Sequence, residues 1–416
     1  MMIDVRKAAI IGCGFVGASI AFSLMQRGLY SELVLIDSDR EKAAGEAMDL
    51  SHGLPYAASM QIYAGTYDDT ADCSMVILAA GASQKPGETR LDLIGRNTAI
   101  LRRILPELTG RGFQGILLVV SNPVDVLTYA AWRLSGLPAG QVFGSGTVLD
   151  TARLKYLLGQ ELGVDSRNVH AAILGEHGDS ELAVWSSANI SSIDLDRFCQ
   201  LRGRPDRAGL DRIYREVRDS AYEIIRRKGA TYYGIAMAVA RIAECIVRDE
   251  RAMLPVSVLL QGQYGLDGLC LSIPAIVGRN GVESVLEIPL DPGERQALLD
   301  SAARLKAVIR DAGLDPASDP PEECAGPPCG SRSAPGGRSY HHSAVLLLVI
   351  LILRGAGLLL EPGLGTAPQL AQLIPIGDHS THRSRSRQRQ GHDLQHKTRN
   401  FHRWNLLHLL RLSIVS

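Results

Sequence analysis

Lys7-Ala8-Ala9-Ile10-Ile11-Gly12-Cys13-Gly14-Phe15-Val16-Gly17 is the stretch that decides the fold. Lys7–Ile11 is a short apolar run of the kind that forms a buried parallel strand, and it ends in a GxGxxG turn. Ala18–Gln26 then reads as helix, and Glu32–Ile36 reads as a second strand that ends on Asp37, 20 residues after Gly17. A lone GxGxxG says little, because Gly-rich turns are common. Strand before, helix after and an acid closing the next strand make the dinucleotide context. Gly12 permits the tight turn, Gly14 lets the backbone approach a pyrophosphate, and Gly17 lets helix pack on strand, with Val16 between them. The helix N-terminus offers donors and partial positive charge to phosphates. Asp37 is placed to accept a hydrogen bond from a ribose 2′-hydroxyl and to repel a 2′-phosphate, which favours NAD over NADP. The bland alternative is a structural turn with Asp37 as a solvated strand end.

Working outward, Arg40–Leu50 reads as helix, Ser74–Ala80 and Gly115–Val120 as buried strands, and Leu91–Leu108 as the helix between them. Such alternation means βαβ units, hence a doubly wound Rossmann-type parallel sheet over residues 1–146. The pattern changes after Gly146. Val148–Leu162, Leu210–Arg227, Tyr232–Arg248 and Pro292–Ala312 read as helices, the last stopping at Gly313. Val169–Leu174, Met253–Gln261, Cys270–Val277 and Val282–Ile288 read as strands, so residues 147–313 are expected to form an α+β catalytic domain.

The 416 residues carry 44 Lys+Arg and 44 Asp+Glu, a balance that lacks the basic footprint of a nucleic-acid binder. Before Asp315 the five Cys are odd in number and scattered, as expected of reduced thiols in a cytoplasmic protein, and the N-terminus lacks the pattern of a secretory signal. Eight of the eleven His lie beyond Asp315, together with Pro320-Pro321, Pro327-Pro328 and a His/Arg/Ser run. Residues 314–416 therefore read as an atypical tail, either a disordered extension or a read-through product. Its apolar run Ala344–Leu353 is too short for a membrane span, and its Cys and His form no recognised metal site.

Four stretches carry candidate chemistry. Gly175-Glu176-His177-Gly178-Asp179-Ser180 follows a strand, and a His in a Gly-flanked loop suits proton transfer, although by itself it fits a structural His equally well. Thr147-Val148-Leu149-Asp150-Thr151-Ala152-Arg153 sets Asp150 and Arg153 three apart on one helix face. Asp150 can hold an imidazole in one tautomer and Arg153 can grip a carboxylate with two parallel hydrogen bonds. The alternatives are a local ion pair and a cap by Thr147. Gln84-Lys85-Pro86-Gly87-Glu88-Thr89-Arg90 follows a buried strand and reads as a loop suited to closing over a substrate, or as an ordinary surface loop. Ser121-Asn122-Pro123 ends a strand at the same edge of the sheet, where ligands bind in this fold.

In this order and spacing, and with Lys228-Gly229-Ala230-Thr231-Tyr232-Tyr233, these stretches resemble the L-lactate/malate dehydrogenase family over about residues 5–313, and most of all its bacterial lactate branch. The resemblance implies NAD as cofactor and His177 as the residue that protonates the C2 oxygen of pyruvate as hydride arrives. It implies that Asp150 supports the imidazolium, Arg153 holds the substrate carboxylate and Arg90 polarises the carbonyl. Asn122 is implied beside the nicotinamide and the substrate oxygen, and Thr231 beside the substrate side chain. Gln84 decides the branch: malate-specific members resemble one another in an Arg there, which pairs with the second carboxylate of oxaloacetate. A neutral Gln leaves that carboxylate unpaired, so pyruvate and lactate are expected. The resemblance also implies a homotetramer. In activated members, fructose 1,6-bisphosphate meets an Arg two residues after the carboxylate-binding Arg and a His before the catalytic loop. Here those positions are Lys155, a departure, and His170.

Overall fold

The computed structural model describes residues 4–82, 90–203 and 207–314. Side chains are described within these ranges except at 4–5, 90 and 207–208. In chain order the elements are β1 (Asp4–Ile11), α1 (Phe15–Arg27), β2 (Glu32–Ile36), α2 (Arg40–Gly53), β3 (Gln61–Ala64), β4 (Cys73–Leu78) and α3 (Arg90–Thr109). They continue with β5 (Ile116–Val119), α4 (Val124–Ser135), β6 (Val142–Gly144), α5 (Val148–Leu162), β7 (Val169–Leu174), β8 (Leu182–Ile190) and β9 (Ile193–Asp194). The last are α6 (Leu195–Arg202), α7 (Arg207–Lys228), α8 (Tyr233–Arg248), β10 (Ala252–Gln261), β11 (Asp267–Gly278), β12 (Gly281–Val285) and α9 (Pro292–Asp311).

Six parallel strands run in the order β3-β2-β1-β4-β5-β6, the doubly wound arrangement expected from the alternation. β1 lies at the centre with Ala9 opposite Val34 on one side and Val76 on the other, and Ala8–Ile11 are buried. Strands covered on both faces need continuous apolar runs, which β1, β4 and β5 supply. β10, β11 and β12 do not form a separate sheet of the second half. They extend the parallel sheet in antiparallel fashion through Ser257 of β10 opposite Gly144 of β6. That approach needs glycine, since a Cβ at residue 144 would lie 2.4 Å from the Thr128 hydroxyl. β12 also ends earlier than its pattern suggests, at Val285; the Ile288 N–H goes to the Tyr264 hydroxyl at 2.8 Å instead.

β7, β8 and β9 form a small antiparallel sheet whose apolar face packs on α5, α6 and α7 through Leu154, Leu158, Val169, Ile190, Leu195 and Val217. The two sheets meet at one bridge, Gly175 to Ser272 of β11, just where the chain leaves β7. α8 buries Ala236, Val239, Ala240, Ala243 and Ile246, the spacing of one helical stripe, and packs against α1. Among the described residues no helix is long and apolar enough to cross a membrane. The tail, residues 315–416, lies outside the described residues.

Candidate active site

The Gly-rich turn is built for a phosphate. Gly12 has φ +101, and a Cβ there would sit 2.4 Å from the Ala80 nitrogen. A Cβ at Gly17 would sit 1.8 Å from the Gly12 carbonyl oxygen, so helix and turn touch backbone to backbone. At Gly14 a Cβ would meet nothing within 4 Å: the space above it is open. Gly14 caps α1 without a side chain, so no side-chain cap competes for the first-turn amides. Val16 packs against the core below the turn.

Asp37 closes the other end of this site. Its Oδ2 accepts the Cys13 N–H at 2.7 Å and its Oδ1 accepts the Asp39 N–H at 3.0 Å. Burial opposes its ionisation, but these hydrogen bonds prevail and hold the carboxyl below its usual range. Gly12, Gly14, Asp37, Thr66, Ala80 and Arg103 help line a cavity of about 750 Å³. An open glycine, uncapped helix amides and a fixed carboxylate on one cavity fit a dinucleotide. Cys13 is buried beneath the turn, and desolvation with the Asp37 charge pushes its thiol up to about 12, which suits a space-filler rather than a nucleophile.

The second cluster forms where β7 delivers Gly175, at φ +91, into the loop before β8. His177 Nδ1 lies 2.5 Å from Asp150 Oδ2, and Asp150 Oδ1 accepts from Arg153 Nη1 at 2.7 Å. Asp150 is buried and His177 is 24% exposed, so the ring is held from behind and open in front. Both the local ion pair and the His–Asp contact are therefore present. The Thr147 cap is not: its hydroxyl donates to the Ile173 carbonyl at 2.5 Å, tying α5 to β7. Burial works against the imidazolium, yet Asp150, Asp125 and Glu181 outweigh it and raise His177 to about 9. Burial likewise opposes ionisation of Asp150, but His177 and Arg153 keep it below its ordinary value. Asp150, His177 and Glu181 present ligand atoms within 4.8 Å of one another. With both Asp150 oxygens engaged and a guanidinium alongside, the donor set suits proton transfer better than a metal.

Residues 6–144 match the NAD binding domain of lactate/malate dehydrogenase, and residues 147–313 match the alpha/beta C-terminal domain of the same enzymes. The chain belongs to the lactate/malate dehydrogenase family. It is accordingly an NAD-dependent oxidoreductase. An L-lactate dehydrogenase of Acetivibrio thermocellus is 52% identical over 307 residues, 74% of this chain and 97% of that one. An L-lactate dehydrogenase of Priestia megaterium is 50% identical over 301 residues, 72% of this chain and 95% of that one. Among solved structures, a lactate dehydrogenase from a Medee basin deep-sea metagenome library matches with a TM-score of 0.72 at 46% identity, over 75% of this chain and all of that one.

Other expected site residues of this dehydrogenase are placed as follows. Asn122 stands exposed after β5, and its carbonyl accepts from Asn97 Nδ2 at 2.8 Å. Asn97 on α3 also accepts the Ala82 N–H at 2.8 Å, so it ties the loop after β4 to the loop after β5. Thr231 is half-buried between α7 and α8, next to Tyr232, whose ring stacks on Phe15 of the Gly-rich turn at 5.4 Å. Lys228 sits 3.4 Å from the Tyr232 ring centroid, a cation–π contact that holds the ring from within the same stretch. Lys155 is half-buried on α5, where desolvation lowers its pKa, and His170 is exposed on β7. Gln84 lies outside the described residues, as does the side chain of Arg90.

Three supporting residues escaped the sequence reading. Asn97 is one. Asp125, at the start of α4, accepts the His177 backbone N–H at 2.8 Å and the Ser257 hydroxyl at 2.6 Å. Complete burial raises Asp125 to about 6 although both partners favour its anion. Ser301 on α9 is the third: its hydroxyl accepts the Glu176 N–H at 2.9 Å and lies 3.0 Å from the Ser180 hydroxyl. Asp125 sits two residues past Ser121-Asn122-Pro123, so a polar residue inside an apolar helix was its available signal. Nothing local marks Asn97 or Ser301.

Proposed function

We propose that this enzyme reduces pyruvate to L-lactate reversibly, with NADH, as a cytoplasmic fermentative dehydrogenase. The observation that carries the reading is the His177–Asp150–Arg153 group beside a dinucleotide cradle. Residues 1–146 hold the cofactor and residues 147–313 the substrate. NADH, when bound, supplies the hydride. The protein supplies the rest. Arg153 spends one nitrogen on Asp150 and offers its remaining donors to the substrate carboxylate. His177, held through Nδ1, presents Nε2 to the carbonyl oxygen and gives up its proton as negative charge develops there. Asp150 stabilises the imidazolium before that transfer and orients the neutral ring after it. Arg90 stabilises the oxygen from the loop side, Asn122 binds at the cofactor–substrate junction, and Thr231 borders the methyl of pyruvate.

Cofactor choice rests on Asp37. Asp37→Ser should raise efficiency with NADPH relative to NADH by about tenfold or more, because it removes a carboxylate that faces the 2′-phosphate. Comparable efficiency with both cofactors in the native enzyme would contradict the assignment. Substrate choice rests on Gln84: Gln84→Arg should shift the ratio of kcat/KM from pyruvate toward oxaloacetate by on the order of 10²-fold. An unchanged ratio removes Gln84 from specificity.

The same reading includes a homotetramer and activation by fructose 1,6-bisphosphate at Lys155 and His170. Lys155 meets a phosphate as a point charge, without the fork of Arg. A titration with fructose 1,6-bisphosphate should lower KM for pyruvate, and a flat response rejects the site.

A further inference from the structure

The mechanism above leaves one buried acid of the cluster unused. Glu181 stands just before β8, only 5% exposed. Its Oε1 is wholly buried and has no hydrogen-bond partner among the described residues. Its backbone is held on both sides: its N–H donates to the Gly178 carbonyl at 3.2 Å, and its carbonyl accepts from the Tyr214 hydroxyl. The side chain therefore starts from a fixed point, and it brings a carboxylate oxygen within 4.8 Å of a carboxylate oxygen of Asp150 and a ring nitrogen of His177.

The groups facing Glu181 are Asp150 and Arg153 from α5, His177 from the catalytic loop, and Tyr214 and Arg218 from α7. Two cations there have carboxylates already: Arg153 is paired with Asp150 and Arg218 with Asp219 at 3.0 Å. An ionised Glu181 would thus be a second carboxylate in a pocket with no donor aimed at its Oε1. An unpaired buried anion is costly, and a neutral carboxyl is not. Burial and the Asp150 charge accordingly push Glu181 up to about 8, against the pull of His177, Arg153 and Arg218.

We propose that Glu181 is a positioning residue whose proton keeps Arg153 and His177 free for the carboxylate and carbonyl of pyruvate, and whose ionisation makes it a rival to the substrate for both. This rests on the roles given to His177 and Arg153 above. When the proton leaves to solvent, the new carboxylate attracts the guanidinium and repels the incoming anion. The competent state therefore holds two protons, one on His177 and one on Glu181. Losing either weakens substrate binding.

The test is KM for pyruvate against pH, in the intact enzyme and in the Glu181→Gln and Glu181→Asp variants. In the native enzyme, log KM should climb with a two-proton slope once pH passes about 9. Glu181→Gln, neutral at every pH, should climb with a one-proton slope, and Glu181→Asp should restore the steeper one. Superposable slopes in the native enzyme and Glu181→Gln overturn the proposal. If the variants do not fold, carboxyl-carbon NMR of the native enzyme decides it: one glutamate should titrate near about 8, and none titrating above about 6 overturns the proposal. A His177→Ala enzyme with near-native turnover would sink the underlying mechanism instead, so the two failures are distinguishable.

Discussion

A His177→Ala variant is expected to lose pyruvate turnover by on the order of 10²–10⁴-fold while still binding NADH. Hydride arrival at the carbonyl carbon creates an alkoxide, and an imidazolium with a pKa near 9 is a proton source in place before the transfer. The loss should appear in kcat and kcat/KM together, because the proton is delivered in the transition state. NADH binding, followed by fluorescence quenching, should survive because His177 belongs to the loop between β7 and β8, whereas the dinucleotide cradle is built from β1, α1 and Asp37. Near-native turnover would remove His177 from the mechanism. Loss of NADH binding would mean that the variant is misfolded or that the two ends are coupled more tightly than the geometry indicates.

Asp150→Asn should be nearly as damaging, on the order of 10²-fold in kcat for pyruvate reduction. The amide keeps the shape but removes the charge that holds the imidazolium, and it leaves Arg153 without its carboxylate. The pH dependence separates this account from simple loss of packing. In the native enzyme burial disfavours the imidazolium and Asp150 overrides it, placing His177 near 9. Pyruvate reduction needs the protonated ring, so its rate should fall as pH rises through about 9. Lactate oxidation needs the neutral ring and should rise over the same window. In Asp150→Asn both limbs should move toward the ordinary histidine range, about 6.5. The same sign governs stability. Because the folded-state value is raised, the contribution of His177 is fully present below about 6.5 and is lost as pH climbs through about 9. Limbs that stay in place would show that Asp150 does not set the proton affinity of His177.

Much of this was legible in the sequence, for identifiable reasons. β1, β2, α5 and β7 appear where their apolar pattern puts them, because each buries its own run or stripe of apolar side chains. Gly12 and Gly17 were legible because backbone approach admits no side chain there, and Gly14 because a bare turn leaves the space above it open. Asp150, Arg153 and His177 were legible as residue types. The distances that make them one group come from Thr147, which ties α5 to β7 through the Ile173 carbonyl. What failed was non-local. β3, β6 and β9 are two to four residues long, too short for a period to show. Nothing in the pattern of β10–β12 shows that they extend the sheet of the first half. Which sheet edge a strand joins depends on a partner, here Gly144, that lies over a hundred residues earlier. Asp125, Asn97 and Ser301 act by reaching across the fold, and no spacing encodes that.

The central claim is that this chain passes hydride from NADH to a 2-oxo monocarboxylic acid. The most direct measurement follows NADH oxidation by the intact protein with pyruvate and oxaloacetate side by side, each over a full saturation curve. The account predicts robust turnover with pyruvate and a kcat/KM for oxaloacetate lower by about 10²-fold or more. Equal or better use of oxaloacetate, or no NADH oxidation with either acid, would contradict it.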